Sequence, residues 1–373
     1  MSREITPIEL AERLERGDAV QVLDVRAPHR LASGVIEVRD PAVFTNLPNS
    51  KLFQLAAPSD GGLGELPVVA VCGHGNASKQ TAAWLGERGV KAQSLAGGMA
   101  AWMQVVVPRT LAPPPGFSHF IQFDRLGKAS LAYVLIADGE ALIVDPPRDC
   151  TVLLQAIREA GARLIAAADT HVHADYLSGG RSLGVPYLLH PADAVYPYDG
   201  TPGRLQFTAL ADGNEIAIGN TSVRAMHTPG HTDGSVTLLA NGAALTGDFL
   251  FVESIGRPDL AGKAEAWGRK LWASLQRARS EWAPDTLIYP AHYLLESERR
   301  PDRSVAIRFG DLPARNEVHR ITNEDTFVAW ILEHAKPAPE QYRQIKAVNV
   351  GLKDVTEEEA EILEAGKNEC AVT

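Results

Sequence analysis

Short apolar runs recur along the chain, and longer amphipathic stretches separate them. The runs at residues 21–26, 68–71, 163–168, 243–247 and 286–291 each predict a buried strand. Residues 152–160 and 263–282 instead place apolar side chains at helical spacing, which predicts amphipathic helices. Strands that alternate with helices indicate a small doubly wound α/β sheet for the first third of the chain and an αββα sandwich for the rest.

A proline-dense stretch separates these two predicted folds. Residues 107–116 include three consecutive prolines, so this segment should be extended and stiff. A length of 373 residues suits two or three domains. We therefore predict a first domain at residues 1–107, a linker at 108–116 and a second domain at 117–373.

Histidines and aspartates follow the predicted strands of the second domain. Two histidines stand just after the run at 163–168, a third follows a Pro-Gly turn, and an aspartate and a fourth histidine end two later runs. These residues are His171, His173, His231, Asp248 and His292. Strand ends can fix ligand geometry by packing, and imidazole with carboxylate suits zinc or iron. His227 fits a structural role better than a ligand role.

The order of these motifs resembles the metallo-β-lactamase superfamily, over residues 116–370. Its pattern is T-H-x-H-x-D-H, then P-G-H-T, an aspartate after T-G and a final histidine. Tyr176 stands where the family has the last histidine of the first motif, a ligand of the second metal. A phenol is neutral at pH 7 and a poor zinc ligand. We therefore expect one metal per chain, although Asp175 and His292 remain in place.

A superfamily member with one metal and a thiol-type substrate resembles the persulfide dioxygenases. That resemblance implies one iron(II) held by His171, His231 and Asp248. The remaining candidates would orient the ligands through hydrogen bonds. These candidates are His173, Asp175, Tyr176 and His292. The spacing alone leaves His173 open as a direct ligand, which would favour a hydrolytic zinc site.

Arg257 follows the aspartate ligand at the spacing seen in persulfide dioxygenases. The resemblance implies a position near the thiol cofactor, where Arg257 could bind a carboxylate. A salt bridge from Arg257 to Asp259 or Glu253 is an equal alternative.

Cys72 ends the predicted strand at 68–71 and precedes a predicted helix that begins near Gln80. The intervening loop consists of Gly73, His74, Gly75, Asn76, Ala77 and Ser78. Backbone N–H groups and the positive end of a helix dipole stabilise a negatively charged persulfide on such a cysteine. Cys72 is therefore a candidate sulfur carrier.

Residues 1–107 resemble a single rhodanese domain. This resemblance rests on the strand at 21–26, on Cys72 and on the segment 96–102, which includes Gly97 and Gly98. The family's usual loop arginine is replaced by Ala77, and its usual histidine before Ile36 is replaced by Val35. Loss of the loop cation should weaken binding of sulfite or thiosulfate, while Cys72 keeps the capacity to carry sulfur.

Charge and cysteine content restrict the partners. With 36 basic and 46 acidic residues the net charge is −10, and no basic stripe is present to neutralise phosphates. We exclude nucleic acid as the main partner. No apolar run reaches the roughly 20 residues of a membrane span, and no signal peptide is evident, so we expect no membrane partner.

Three widely spaced cysteines suit a reducing compartment, and we predict the cytoplasm. A homo-oligomer is left open.

The combined prediction is a sulfur-metabolising fusion enzyme. The second domain would oxidise a low-molecular-weight persulfide such as glutathione persulfide with O2, giving sulfite and the free thiol. The first domain would transfer sulfane sulfur through Cys72, in either direction between persulfide and thiosulfate. Two alternatives are a glyoxalase II-like zinc thioester hydrolase and a non-catalytic sulfur carrier or sensor.

Overall fold

The structure, a computed structural model, describes residues 3–259, 261–335 and 337–372. The ends of the predicted domains, Met1 and Thr373, lie outside the described residues, as does Leu260 in the segment after Arg257. The chain divides into two compact units. The smaller comprises residues 1–107, 125–128 and 365–367, and the larger comprises 108–124, 129–364 and 368–373.

The smaller unit is built on a parallel five-stranded sheet with the order β1-β5-β4-β2-β3. Its strands are β1 (Arg3–Ile5), β2 (Gln21–Asp24), β3 (Val43–Asn46), β4 (Val68–Val71) and β5 (Ala92–Leu95). Its helices are α1 (Pro7–Arg16), α2 (Asn49–Leu52), α3 (Asn76–Gly86) and α4 (Gly98–Trp102). The four residues of β2 and of β4 are all buried, as expected for central parallel strands.

Helix α1 shows how local sequence sets an element. Thr6 accepts a hydrogen bond from the backbone N–H of Glu9, and Pro7 occupies the first turn, where its missing N–H costs nothing. Gly17 adopts a left-handed conformation and ends the helix. Leu10 and Leu14 lie one turn apart and are buried, so the apolar face of α1 packs into the core.

The larger unit contains two sheets. The first has the order β12-β11-β10-β9-β8-β7-β6, and the second runs in sequence order from β13 to β18. Strands of the first sheet are β6 (Val106–Leu111), β7 (His119–Arg125), β8 (Ser130–Ala137), β9 (Glu140–Val144), β10 (Arg163–Ala168), β11 (Tyr187–Leu189) and β12 (Thr208–Ala209). Strands of the second are β13 (Glu215–Ile218), β14 (Thr221–His227), β15 (Val236–Ala240), β16 (Ala243–Gly247), β17 (Leu287–Pro290) and β18 (Ile307–Arg308).

Side chains from both sheets form the central core of this unit. Leu135 and Val144 from the first sheet belong to the same buried cluster as Val223, Leu238 and Leu245 from the second. The helices are α5 (Thr151–Glu159), α6 (Ala264–Glu281), α7 (Leu312–Arg315), α8 (Glu324–His334), α9 (Gln341–Asn349) and α10 (Glu357–Leu363). A second cluster packs α6 and α8 on the outer face of the second sheet, which completes the αββα sandwich.

The two predicted amphipathic helices are confirmed as α5 and α6, and the five apolar runs are confirmed as strands. Two predictions differ from the structure. Residues 108–111 of the predicted linker belong to β6, an edge strand, where Pro108 is tolerated because one side of the strand needs no ladder hydrogen bonds. Helix α3 begins at Asn76 rather than near Gln80, because Gly75 takes the left-handed conformation that turns the loop into the helix.

None of the helices within residues 3–259, 261–335 and 337–372 combines the length and the apolar character that crossing a membrane would need.

Candidate metal centre and cysteine loop

Four strands deliver the candidate ligands to one place in the larger unit. His171 follows β10, His231 follows β14 through the Pro229-Gly230 turn, Asp248 follows β16 directly, and His292 follows β17. The close approach of these loops requires glycine. A Cβ on Gly256 would lie 1.7 Å from the backbone oxygen of Asp248, so no larger residue fits there.

His171, His231 and Asp248 form a compact, buried triad. Each offers one ligand atom, and these atoms lie within 4.8 Å of one another. Asp248 Oδ2 is 3.5 Å from His171 Nε2 and 3.3 Å from His231 Nε2. Within the described part of the chain, none of these three buried atoms has a hydrogen-bond partner. Buried polar atoms rarely stay unsatisfied, so this set fits a divalent metal ion.

Hydrogen bonds on the far side of each imidazole orient it toward the centre. His231 Nδ1 donates to the backbone oxygen of Arg257 at 2.9 Å. His171 Nδ1 donates to Thr170 Oγ1 at 3.0 Å, and Thr170 in turn donates to the Asp145 carboxylate. Both Nε2 atoms therefore carry the lone pair that a metal needs. Burial also holds the pKa of His231 well below its ordinary value, which keeps the ring neutral.

His292 holds the carboxylate of the triad in place. Its Nδ1 lies 2.7 Å from Asp248 Oδ1, and its Nε2 lies 3.0 Å from Asp175 Oδ2. Burial opposes protonation, but the attraction of Asp175 and Asp248 outweighs it and raises the pKa of His292 to about 10. Nδ1 of His292 thus donates to Asp248, while its Nε2 faces Asp175 as an ion pair. The orienting role of His292 and Asp175 stays a prediction.

The ring of His173 packs against the rings of both His171 and Tyr176. Its ring lies 4.2 Å from the Tyr176 ring in a stacked arrangement. His173 Nε2 is 2.9 Å from Tyr176 Oη and 3.2 Å from Asp145 Oδ1. Burial and nearby carboxylates raise the pKa of Tyr176 well above its ordinary value, so the phenol stays neutral. The tyrosine hydroxyl therefore engages Nε2 of His173.

Replacing Tyr176 by histidine is expected to raise zinc content from about one to about two ions per chain. The change removes the phenol from His173 and adds an imidazole at the position where the superfamily pattern has one. Metal analysis after reconstitution with excess zinc measures the result. Tyr176→Phe is the matched control, and it should keep one ion because it supplies no ligand.

Arg257 makes a bidentate ion pair with Asp259. Its Nε and Nη2 lie 2.6 and 2.7 Å from the two carboxylate oxygens, and its Nη1 donates to the backbone oxygen of Glu369. Glu253 instead pairs with Arg315. The guanidinium also lines a cavity of about 210 Å³. Carboxylate binding by Arg257 stays a prediction, while its backbone oxygen contributes directly by orienting His231.

Asp193 is a site residue that the sequence did not reveal. It is buried in a 3-10 turn after β11, and Oδ2 accepts from the backbone N–H of Val172 at 2.7 Å and from Thr232 Oγ1 at 2.8 Å. Its Oδ1 accepts from Gly234 N at 2.7 Å. One carboxylate therefore joins the loop of His171 to the loop of His231. Asp193 belongs to none of the ligand motifs, so no sequence signal marked it.

Substituting Asp193 by alanine is expected to lower the free energy of unfolding by about 3 kcal/mol, because three buried donors lose their acceptor at about 1 kcal/mol or more each. Urea unfolding of the larger unit measures this loss. Asp199→Ala, which removes an exposed turn carboxylate, should cost far less. Equal losses of unfolding free energy in the two variants would show that Asp193 does not join the loops of His171 and His231.

Hydrogen-bond donors of the following loop surround Cys72 in the smaller unit. Its Sγ accepts from the backbone N–H of Gly75 at 3.1 Å and lies 3.3 Å from Ser78 Oγ. Ser94 Oγ donates to Ser78 Oγ at 2.9 Å, which fixes the serine. A Cβ on Gly98 would lie 2.4 Å from the Cys72 oxygen, so the glycine pair at the start of α4 lets this segment pack on the loop. These donors suit an anionic sulfur.

The other two cysteines are also buried, and within the described residues neither forms a disulfide. Cys150 donates to the backbone oxygen of Pro147, and burial raises the pKa of its thiol to about 12, which makes it inert. Cys370 was assigned no partner from sequence, but its Sγ lies within 4.8 Å of ligand atoms of Asp175 and His292. His227 bonds to the Asp233 backbone and stays outside the triad, as predicted.

Comparison with known proteins supports this division of the chain. The model of the metallo-β-lactamase superfamily matches residues 125–292, and that of the rhodanese-like domain matches residues 6–105. The mitochondrial persulfide dioxygenase ETHE1 of Homo sapiens is 33% identical over 162 residues, which cover 41% of this chain and 59% of that protein. A hydroxyacylglutathione hydrolase of Anaeromyxobacter dehalogenans is 39% identical over 142 residues, covering 36% of this chain and 52% of the relative.

Among solved structures, a metallo-beta-lactamase from Staphylococcus aureus matches with a TM-score of 0.54 and 27% identity, covering 64% of this chain and 74% of that one. The matched segments span little more than half the length of both curated relatives. The fold, the ligand order and the two family matches agree with one another. The chain joins a rhodanese-like domain to a following domain of the metallo-β-lactamase superfamily.

Proposed function

We propose that the larger domain oxidises a low-molecular-weight persulfide with O2 and uses one iron(II) per chain. The observation that carries this proposal is the buried triad of His171, His231 and Asp248, with Tyr176 engaging His173 beside it. Two histidines and one carboxylate on one face are typical of non-haem iron oxygenases. Similarity to the human persulfide dioxygenase supports the same reaction class.

The reaction balances with water as a reactant. One persulfide, one O2 and one water give one thiol, one sulfite and two protons. His171, His231 and Asp248 would hold the iron, which supplies binding positions for sulfur and O2 side by side. Asp175 and His292 hold the Asp248 carboxylate, and Arg257 holds His231 through its backbone oxygen. Burial of all three ligands keeps bulk water from the reacting sulfur.

The rhodanese-like domain would carry sulfane sulfur on Cys72. In one direction the Cys72 thiolate accepts the terminal sulfur of a persulfide and releases the thiol. Sulfite then attacks the outer sulfur of the Cys72 persulfide, giving thiosulfate and the free thiolate. The reverse reaction returns sulfur from thiosulfate to Cys72. The N–H of Gly75 and the hydroxyl of Ser78 would stabilise the anionic sulfur in both directions.

Joining both domains in one chain raises the local concentration of the shared persulfide or sulfite. Glutathione persulfide is the proposed carrier, because relatives named as persulfide dioxygenase and hydroxyacylglutathione hydrolase both match this domain. The absence of a disulfide among the described residues supports the proposed reducing, cytoplasmic setting.

A zinc thioester hydrolase is the second candidate, favoured by the 39% identity to a hydroxyacylglutathione hydrolase. That reading needs His173 as a ligand. His173 Nε2 faces Tyr176 Oη and Asp145 Oδ1, whereas its Nδ1 is buried without a hydrogen-bond partner among the described residues and is the atom that would bind zinc in this candidate.

Product analysis separates these two functions. The iron-loaded protein should release about one sulfite per O2 consumed from glutathione persulfide and should leave S-lactoylglutathione intact. Hydrolysis of the thioester by the zinc-loaded protein, with no sulfite from the iron-loaded protein, would contradict the proposal.

A further inference from the structure

Lys346 is a buried lysine that neither proposed activity uses. It lies on α9, and only 1% of its surface is exposed. Within the described part of the chain, its ammonium forms no ion pair with an aspartate or a glutamate, and Lys346 lines a cavity. Burying a charge without a partner costs several kcal/mol. A fold keeps such a group when a ligand supplies the missing acceptor.

The neighbours of Lys346 on α9 contact the metal centre. Tyr342, Lys346 and Asn349 lie on one face, at a spacing of four and three residues. Asn349 Nδ2 donates to the backbone oxygens of His173 and Tyr176 at 2.9 and 2.8 Å. Tyr342 Oη accepts from the backbone N–H of Glu369 at 2.7 Å. Lys346 therefore stands between two residues that brace the surroundings of the triad.

A cavity of about 100 Å³ adjoins Lys346. Its lining includes Val172 and Thr232, each next to a candidate metal ligand in sequence, and Trp267 of α6. This volume is far below the roughly 300–1,000 Å³ of a pocket for a whole drug-sized ligand, so it suits one small group. A group held here would lie beside the ligand loops of His171 and His231.

Two aspartates and two lysines line the cavity: Asp193, Asp233, Lys263 and Lys346. The carboxylate of Asp193 already accepts from Val172, Thr232 and Gly234. Asp233 at the cavity pairs with Lys270 on the surface. Burial lowers the pKa of Lys346, because desolvation of the ammonium outweighs its attraction to Asp193, Asp248 and Asp175. A ligand oxygen or sulfur is the acceptor that this arrangement lacks.

We propose that Lys346 binds a small anionic group in this cavity, either a carboxylate of the thiol that carries the persulfide or the sulfur oxyanion released from it. This inference rests on the proposed persulfide oxidation for the identity of the two anions. The shared chemistry is a compact negative charge with oxygen acceptors. Lys346 is then a positioning residue that holds reactant or product beside the triad.

Calorimetric titration of the metal-loaded protein without O2 tests this inference. The probes are glutathione, its glycyl ethyl ester and sulfite. Lys346→Met should weaken binding of glutathione or sulfite by about 10–100-fold, because a hydrogen bond with a charged partner contributes about that much to affinity. Lys346→Arg should recover most of the lost affinity. Lys353→Met is the matched control, since it removes an exposed lysine of the following turn, and it should bind as the unaltered protein does.

The two sources of the anion give different patterns. If the carboxylate binds, the glycyl ester should bind weakly to both proteins, and Lys346→Met should matter for glutathione alone. If the oxyanion binds, the loss should appear with sulfite and in sulfite product inhibition. Unchanged affinity of Lys346→Met for both probes would overturn the inference, as would failure of the unaltered protein to bind either.

Misfolding of a variant and failure of the proposed function are each distinguished from loss of anion binding. Metal content and the thermal midpoint check each variant, and Lys346→Gln replaces Lys346→Met if the methionine variant does not fold. The titrations need no turnover. A protein that binds these anions through Lys346 but consumes no O2 would contradict the proposed function alone, whereas one that consumes O2 with Lys346→Met affinity unchanged would contradict the lysine's role alone.

Discussion

Replacing Asp248 by alanine is expected to empty the metal centre and to reduce O2 uptake by more than ~100-fold. Asp248 Oδ2 faces His171 Nε2 and His231 Nε2, and no other carboxylate takes part in that triad. Substituting residues that only orient ligands already costs about 10–100-fold in metal affinity, so loss of a ligand should cost more. The change also leaves the cationic His292 facing only Asp175. Metal analysis and an oxygen electrode measure both effects.

Two comparisons make the Asp248 result specific. Asp285→Ala removes an exposed carboxylate and should change neither metal content nor O2 uptake. Sulfur transfer through Cys72 should survive in the Asp248→Ala protein, since Cys72 belongs to the other compact unit. Metal content and O2 uptake that persist after the substitution would exclude Asp248 as a ligand.

Replacing Cys72 by serine is expected to reduce sulfur transfer by at least ~1000-fold while O2 uptake is retained. A hydroxyl is a far weaker nucleophile than a thiolate and forms no persulfide, so the carrier step is lost. The donors from Gly75 and Ser78 can still bond to a serine oxygen, so the loop should keep its conformation. Thiocyanate formation from thiosulfate and cyanide measures the transfer.

Cys150→Ser is the matched control for this change. Cys150 is buried and bonds to the backbone of Pro147, so its substitution should leave sulfur transfer intact. Sulfur transfer and O2 uptake both have to be measured in the Cys72→Ser protein. If Cys72→Ser abolished O2 uptake together with transfer, two separable activities would be the wrong description of this chain.

The candidate triad could be predicted from sequence because each of its residues stands shortly after a strand or a Pro-Gly turn. His171, His231 and Asp248 follow β10, β14 and β16, respectively. Each part of the family pattern is therefore a short run of residues near the end of one strand. Cys72 was predictable for the same reason, since it lies between β4 and α3. The paired sheets then bring these separate ends together.

Residues that act through long-range contacts could not be predicted in this way. Asp193 joins two loops that are far apart in sequence, and nothing in its own neighbourhood marks it. Lys346 and Asn349 are ordinary polar positions of a helix until the fold brings that helix against the centre. Composition likewise suggested a linker at 108–116, whereas sheet pairing recruits residues 108–111 into β6.

The most direct test of the account is metal content of protein purified without O2, combined with O2 uptake on glutathione persulfide. The triad of His171, His231 and Asp248 predicts about one iron per chain and rapid uptake with release of sulfite. Zinc in place of iron, with no O2 uptake and with hydrolysis of a glutathione thioester, would contradict the dioxygenase and assign the larger domain to the hydrolases.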